Sequence, residues 1–206
     1  MDKKLLTPGP LTTSQSTKKA MLHDWGSRDN DFIELNKSIR NSLVKLIEGE
    51  DLFECIPMQG SGTFAVEAMI GSLTQTKSKI LILINGAYGQ RMKKICKYHN
   101  RSYITYEVAE HEIHDLLKIE NIIDNDKDLT HVFAVYCETT SGILNPIKSI
   151  ADLVNKKKLS FFEGGHQLEK LEFALAIAQT NGDEKKSIVL RKKIVELGGN
   201  VEEPGT

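Results

Sequence analysis

The chain has 206 residues, 40% of them hydrophobic and 27% charged, with a formal net charge of −1. That is the make-up of an ordinary globular domain able to bury one sizeable core. The charge balance gives no electrostatic basis for binding nucleic acid or an anionic membrane, and no run approaches the ~18 apolar residues of a membrane-spanning helix.

The three cysteines, Cys55, Cys96 and Cys137, are widely spaced and form no CxxC pair. This suits buried thiols in a reducing compartment rather than a disulfide framework. The opening MDKKLLTPGPLTTS lacks the apolar core of a signal peptide, so a cytoplasmic location is expected.

Residues 36–48, NKSIRNSLVKLIE, place Ile39, Leu43, Leu46 and Ile47 on one face and predict a helix. LFECIPM (52–58) predicts a short apolar strand, and QGSGT after it a turn that opens a helix over 63–73. KILILIN (79–85) is a continuous β-branched and leucine run, as in a strand buried on both faces. GAYGQRMKKICKYHN predicts a turn and a helix, and SYITYEV (102–108) an alternating strand. HEIHDLLKIENIID (111–124) predicts a helix, HVFAVYCE (131–138) a second buried strand, TTSGILNP a loop, and IKSIADLVNKKK (147–158) a helix. Strands alternating with helices predict an α/β domain with a mostly parallel sheet and flanking helices.

After residue 160 the rhythm stops. LSFFEGGHQ reads as a break. Leu168, Leu171, Leu175 and Ala178 then recur with helical spacing, as do Ser187, Leu190, Ile194 and Leu197. NGD (181–183) joins the two patterns, and Gly198 and Gly199 stop the second. The predicted organisation is an α/β domain over 1–160 and a C-terminal helical hairpin with a polar tail over 161–206.

Ligands of open α/β sheets collect beyond the carboxyl ends of the strands. QGSGT, NGAYG and ETTSG each follow a predicted strand, so all three turns are expected to line one site. First-turn N–H groups, the hydroxyls of Ser61 and Thr63, and the bare backbones of Gly60 and Gly62 make QGSGT a phosphate cradle in outline. The same pattern also serves plain connectors, and it is neither of the nucleotide fingerprints GxxxxGK[ST] and GxGxxG. Tyr88 in NGAYG would stack on a flat ring or simply cover the turn. Glu138, Thr139, Thr140 and Ser141 of ETTSG would hydrogen-bond a ring or carboxylate, or cap the turn. Arg28 in DWGSRD (24–29) has the fork geometry for a carboxylate or phosphonate, or for an ion pair with Asp24 or Asp29. His111 and His114 fall on one predicted helix face beside Glu110 and Glu112 without a third ligand, so no metal site is expected.

Five stretches, LLTPGPLTTS, DWGSRD, QGSGTFAVEA, NGAYGQRM and ETTSGILNPI, stand in this order along the chain. Together they resemble the 2-aminoethylphosphonate–pyruvate aminotransferases, class V, fold-type I enzymes dependent on pyridoxal 5′-phosphate, over residues 4–158. DWGSRD and TPGPLTTS favour this family over the alanine–glyoxylate transaminases and cysteine desulfurases of the same class. The resemblance implies part of an α/β large domain, homodimers with sites near the interface, and amino transfer from 2-aminoethylphosphonate to pyruvate giving phosphonoacetaldehyde and alanine. It implies that Ser61, Gly62 and Thr63 form the cofactor-phosphate cup. Tyr88 would stack on the pyridine ring and Thr140 would bond near the ring oxygen. Pro8, Gly9 and Thr12 would edge the site, and Arg28 would contact substrate or the interface.

The family's DAMSSFG-like motif, with the aspartate that pairs the pyridine nitrogen, does not occur in these 206 residues. Nor do the SNKC-like motif with the Schiff-base lysine and the substrate-carboxylate arginine of the C-terminal domain. No catalytic residue is therefore assigned, and the polypeptide is expected to be inactive alone. The alternative expectation is a non-catalytic binding module built from a transaminase remnant and a helical hairpin.

Overall fold

The computed structural model describes residues 4–5, 12–47, 49–50, 52–164 and 184–196. The chain divides into two compact units, one of Met1–Met58 with Gln167–Thr206 and one of Gln59–His166.

In the first unit, α1 (Gln15–Ala20) begins at Ser14, whose Oγ accepts the Thr17 N–H at 3.1 Å. Helix α2 (Asn30–Leu46) starts six residues before the predicted boundary, after Asp29. The Asp29 carboxylate accepts from the Gly26 N–H at 2.8 Å, closing the preceding loop. The apolar stripe read from the sequence is not buried: Ile39, Leu43 and Ile47 are 44–52% exposed. LFECIPM, expected as a strand, forms none. Arg40 donates from Nε to the Cys55 carbonyl at 2.8 Å and from Nη2 to the Glu54 carboxylate at 2.6 Å. A side chain thus occupies a carbonyl that a sheet ladder would use, and Leu52, Phe53 and Ile56 stay exposed.

The second unit alternates helices and strands as predicted. It runs α3 (Gly62–Leu73), β1 (Lys79–Ile84), α4 (Ala87–Tyr98), β2 (Ser102–Glu107), α5 (Leu116–Asn125), β3 (Leu129–Val135), β4 (Cys137–Glu138), β5 (Ile143–Leu144), α6 (Ile147–Lys156) and β6 (Ser160–Gly164). The main sheet has the order β2-β1-β3-β6 and is parallel throughout, with Ile82 opposite Thr105 and Phe133, and Phe133 opposite Phe162. Strand period decides which core each residue enters. Ile80, Ile82 and Ile84 pack with Phe133, Ile70 of α3, and Met92, Ile95 and Cys96 of α4. Leu81 and Leu83 pack with Val132, Ile119 and Ile123 of α5, and Ile150 and Val154 of α6. A strand with a core on each face must be apolar at consecutive positions, which is why KILILI reads as an unbroken run.

Three departures from the sequence expectations have local causes. The helix predicted from 111 begins only at Leu116, because the Asp115 carboxyl accepts the Leu117 N–H at 2.9 Å and caps it there. His111 and His114 therefore precede the helix rather than sharing its face. His111 is exposed, whereas His114 is 3% exposed with Nε2 3.2 Å from the Tyr106 carbonyl. The run 131–138 divides at Tyr136 into β3 and the short β4, and TTSGIL folds back as β5 antiparallel to β4. Within LSFFEGGHQ, read as a break, Ser160–Gly164 form the edge strand β6: Phe162 packs into the first core and Phe161 into the second.

Helix α7 (Glu184–Glu196) coincides with the second predicted C-terminal helix. The first helical pattern (168–178), the NGD joint, Leu197 and the Gly198–Gly199 stop lie outside the described residues, as do Pro8 and Gly9. Among the described residues no helix is long and apolar enough to cross a membrane.

Candidate functional site

Strands β1 and β3 lie side by side and parallel, so the turns that follow them share one edge of the sheet. After β1 the chain passes through Asn85 and Gly86 into α4, for which Gly86 is the N-cap and supplies no side-chain acceptor. Glu138, fifty residues beyond Tyr88, takes that place: its Oε2 accepts the Tyr88 N–H at 3.1 Å. A carboxylate is electrostatically favoured at a helix N-terminus. Glu138 is 0% exposed, and a Cβ on Gly86 would stand 2.2 Å from its Cγ. Glycine is needed here for close approach, since its φ of 170° is open to any residue. The same carboxylate accepts from Thr140 Oγ1 at 2.7 Å. Tyr88 and Thr140, from two different turns, are thus tied to one buried group.

A second tie lies in the same turns. Asn85 and Asn145 exchange hydrogen bonds of 2.9 and 3.0 Å between their amides, and both are buried. Asn145 also donates to the Val135 carbonyl at 2.8 Å, and Asn85 to the Glu112 carbonyl at 3.0 Å. Satisfied buried amides of this kind hold one arrangement, because breaking any bond strands a polar group away from water.

The third turn, QGSGT, follows no strand, contrary to the sequence expectation, yet it reaches the same place. Ser61 caps α3, accepting Phe64 N–H on its Oγ, while its carbonyl accepts from the N–H of Phe64 and Ala65. Gly60 sits at φ +152°, a conformation that suits glycine. Among the described residues no protein acceptor takes the Gly62 or Thr63 N–H, the two first-turn donors that remain. Arg91 of α4 donates from Nη1 to Thr63 Oγ1 at 2.9 Å, and its guanidinium carbon lies 5.3 Å from the Tyr88 ring centroid. The two helix starts consequently differ. That of α4 is filled by the protein's own carboxylate, whereas that of α3 has free donors beside an arginine, which suits an external anion. Tyr88 is 39% exposed, so its ring is open to a ligand.

Of the residues singled out from sequence, Ser61, Gly62, Thr63, Tyr88 and Thr140 fall within this one cluster. Thr12 and Arg28 belong to the other compact unit. There Thr12 Oγ1 accepts from Leu5 N at 2.6 Å, and Arg28 is exposed with no ion pair to Asp24 or Asp29 among the described residues. Sequence reasoning missed Arg91 and the role of Glu138. Arg91 had a local signal, standing three residues after Tyr88 and hence on the same face of α4. No cluster of three His, Cys, Asp or Glu side chains suited to a metal occurs among the described residues.

The family model described as aminotransferase class-V matches residues 12–167. A second, described as a domain of unknown function (DUF8683), matches residues 166–200. A 2-aminoethylphosphonate–pyruvate transaminase from Pseudomonas putida is 50% identical over 152 residues, which cover 74% of this chain and 41% of the relative. One from Pseudomonas fluorescens is 49% identical over the same length and shares. The chain therefore spans about two fifths of the length of the curated relatives it matches. Among solved structures, a pyridoxamine–pyruvate aminotransferase from Mesorhizobium loti superposes with a TM-score of 0.71 at 21% identity, covering 77% of this chain and 40% of that one. An alanine–glyoxylate aminotransferase from Nostoc sp. gives 0.70 at 23% identity, covering 77% and 42%. At these identities the structural likeness speaks for the fold alone.

Proposed function

The chain belongs to the class-V aminotransferase family, and on that premise we propose that it forms the cofactor-cradling part of a 2-aminoethylphosphonate:pyruvate aminotransferase. The reaction is amino transfer from 2-aminoethylphosphonate to pyruvate, giving phosphonoacetaldehyde and alanine, and the identity of about one half to transaminases of that name supports this substrate pair. The carrying observation is the cluster in which Thr63, Arg91, Tyr88, Glu138 and Thr140 link three turns far apart in sequence.

Pyridoxal 5′-phosphate fits the donor set. Its dianionic phosphate matches the free Gly62 and Thr63 N–H groups, the Ser61 and Thr63 hydroxyls and the Arg91 charge; its flat ring matches the Tyr88 face; its ring oxygen matches the Thr140 hydroxyl. When bound, the cofactor supplies the electron sink that amino transfer requires. The chain's own residues anchor, orient and enclose it. Helix α3 and Arg91 hold negative charge at one end of the cradle, and Tyr88 fixes the ring plane. Glu138 keeps Thr140 and the start of α4 at a set distance. The family resemblance implies that Pro8, Gly9 and Thr12 would edge the site and that Arg28 would meet substrate or the second subunit of a homodimer.

No step of proton transfer is assigned to these residues, because the lysine motif that would join the cofactor covalently is absent from the 206 residues. We expect this polypeptide alone to bind pyridoxal 5′-phosphate reversibly and to turn nothing over. The test is a titration with pyridoxal 5′-phosphate followed by absorbance, borohydride trapping with peptide mapping, and an alanine assay with both substrates. Saturable binding without a stoichiometric lysine adduct or alanine supports the reading. A defined lysine adduct with alanine formation overturns the inactivity, and absence of any saturable binding overturns the cradle. The match of residues 166–200 to a separate domain model favours a second reading, a binding module that pairs the cradle with another function. Saturable cofactor binding in which the 166–206 segment engages a different protein would support it.

A further inference from the structure

We propose that Glu138 is a positioning residue whose reach, rather than whose charge, sets the mutual position of Tyr88 and Thr140. The inference rests on the cradle reading for its functional meaning, but its geometry stands alone. The carboxylate is 0% exposed, and no ion pair to it occurs among the described residues. A buried carboxylate without a cation is costly unless its oxygens are well hydrogen-bonded. Here the side-chain partners are the Tyr88 N–H, at 3.1 Å to Oε2 and 3.4 Å to Oε1, and Thr140 Oγ1, at 2.7 Å to Oε1. Both lie in turns that carry a predicted cofactor contact. Gly86 leaves the corridor through which the side chain reaches α4, since its absent Cβ would overlap Glu138 Cγ, Cδ and Oε2 at 2.2, 2.3 and 2.7 Å. The Glu138 backbone is fixed as well: its carbonyl accepts from Ser141 N at 3.1 Å and Gly142 N at 2.8 Å, closing the turn that bears Thr140. One side chain therefore spans from the ring platform to the ring-oxygen hydroxyl.

Glutamine keeps the length and both contacts. Its oxygen accepts the Tyr88 N–H in place of Oε2, and its NH2 donates to Thr140, whose hydroxyl reverses to accept. Aspartate keeps the charge and falls one methylene short. Reach and charge make opposite predictions for these two variants. The experiment measures amide hydrogen exchange across the full ligand-free chain for wild type, E138Q, E138D and E138A, with a parallel titration by pyridoxal 5′-phosphate read through the induced circular dichroism of the bound ring. We expect the Tyr88 N–H to exchange about tenfold faster in E138D and E138A, beyond any change at Ile82 or Phe133, and to stay within about threefold of wild type in E138Q. Induced dichroism should follow the same order, lost in E138D and kept in E138Q. Equal acceleration across β1 and β3 would reduce Glu138 to general stability, and an E138Q as perturbed as E138A would make charge the cause; either overturns the proposal. If E138A does not fold, E138D and E138Q decide it. If wild type binds no cofactor, the exchange pattern still decides the role of Glu138, while the cradle reading fails separately.

Discussion

Replacing Gly86 with alanine adds one methyl group where the fold has no room for it. The new Cβ would stand 2.2 Å from Glu138 Cγ and 2.3 Å from Cδ, well inside van der Waals contact, and the side chain it meets is fully buried and hydrogen-bonded at its tip. Because the Gly86 φ of 170° is ordinary extended backbone, the substitution carries no dihedral penalty and its cost isolates the collision. If the carboxylate moves aside, α4 loses its N-terminal acceptor, worth about 1 kcal/mol. A buried polar group is also left short of partners, at about 1–3 kcal/mol. The expected destabilisation is therefore about 2–4 kcal/mol, a fall of roughly 1–2 M in urea midpoint for a slope near 2 kcal/mol/M. Gly71→Ala in α3 provides the control, since its Cβ would find nothing nearer than His99 Cε1 at 3.6 Å. Alanine within a helix should there stabilise by about 0.5–1 kcal/mol. Urea titration followed by far-UV circular dichroism reads both. A Gly86→Ala chain within about 0.5 kcal/mol of wild type would refute the contact between Gly86 and Glu138 on which the site is built.

Burial pushes the Cys96 thiol up to about 11, so a thiol reagent at mildly alkaline pH should label it only on unfolding, as peptide mapping would show. Burial also holds the His114 imidazole below its ordinary value of 6.5, with His131 shifted the same way. The unfolded chain then takes up these protons first, so stability should be full above pH about 6.5 and decline below it; His114→Gln should flatten that decline in urea midpoints measured down to pH about 5. Arg91→Ala should weaken pyridoxal 5′-phosphate binding about tenfold and Arg91→Lys by less, whereas both should leave binding of unphosphorylated pyridoxal nearly unchanged in the same titration.

The parallel sheet was legible because its inner strands are apolar at consecutive positions: KILILI and HVFAV need no partner in view to be recognised. LFECIPM has a similar composition, but strand formation depends on a neighbouring ladder, and Arg40 engages its backbone instead. LSFFEGG failed in the other direction. The strand within it, β6, is five residues long and ends in glycine, and only the opposite burial of Phe161 and Phe162 marks it as a strand. The three turns of the site could be named from their small residues and hydroxyls. The groups that bind them together could not, because Arg91 meets Thr63 across 28 positions and Glu138 meets Tyr88 across 50, distances over which local patterns carry no information.

The strand order also bears on how the chain is made. β1 is the most deeply buried strand, yet its neighbours are synthesised later: Phe133, the partner of Ile82, follows it by 51 residues. At roughly 5–20 residues per second, KILILI waits about 3–10 s for β3 after it is translated. During that interval its five residues after Lys79, ILILI, are an uncharged, proline-free run of high β propensity, the kind that pairs with copies of itself. Nascent chains halted before residue 129 should therefore be the aggregation-prone species, and a chaperone that shields short aliphatic runs would find its binding site there.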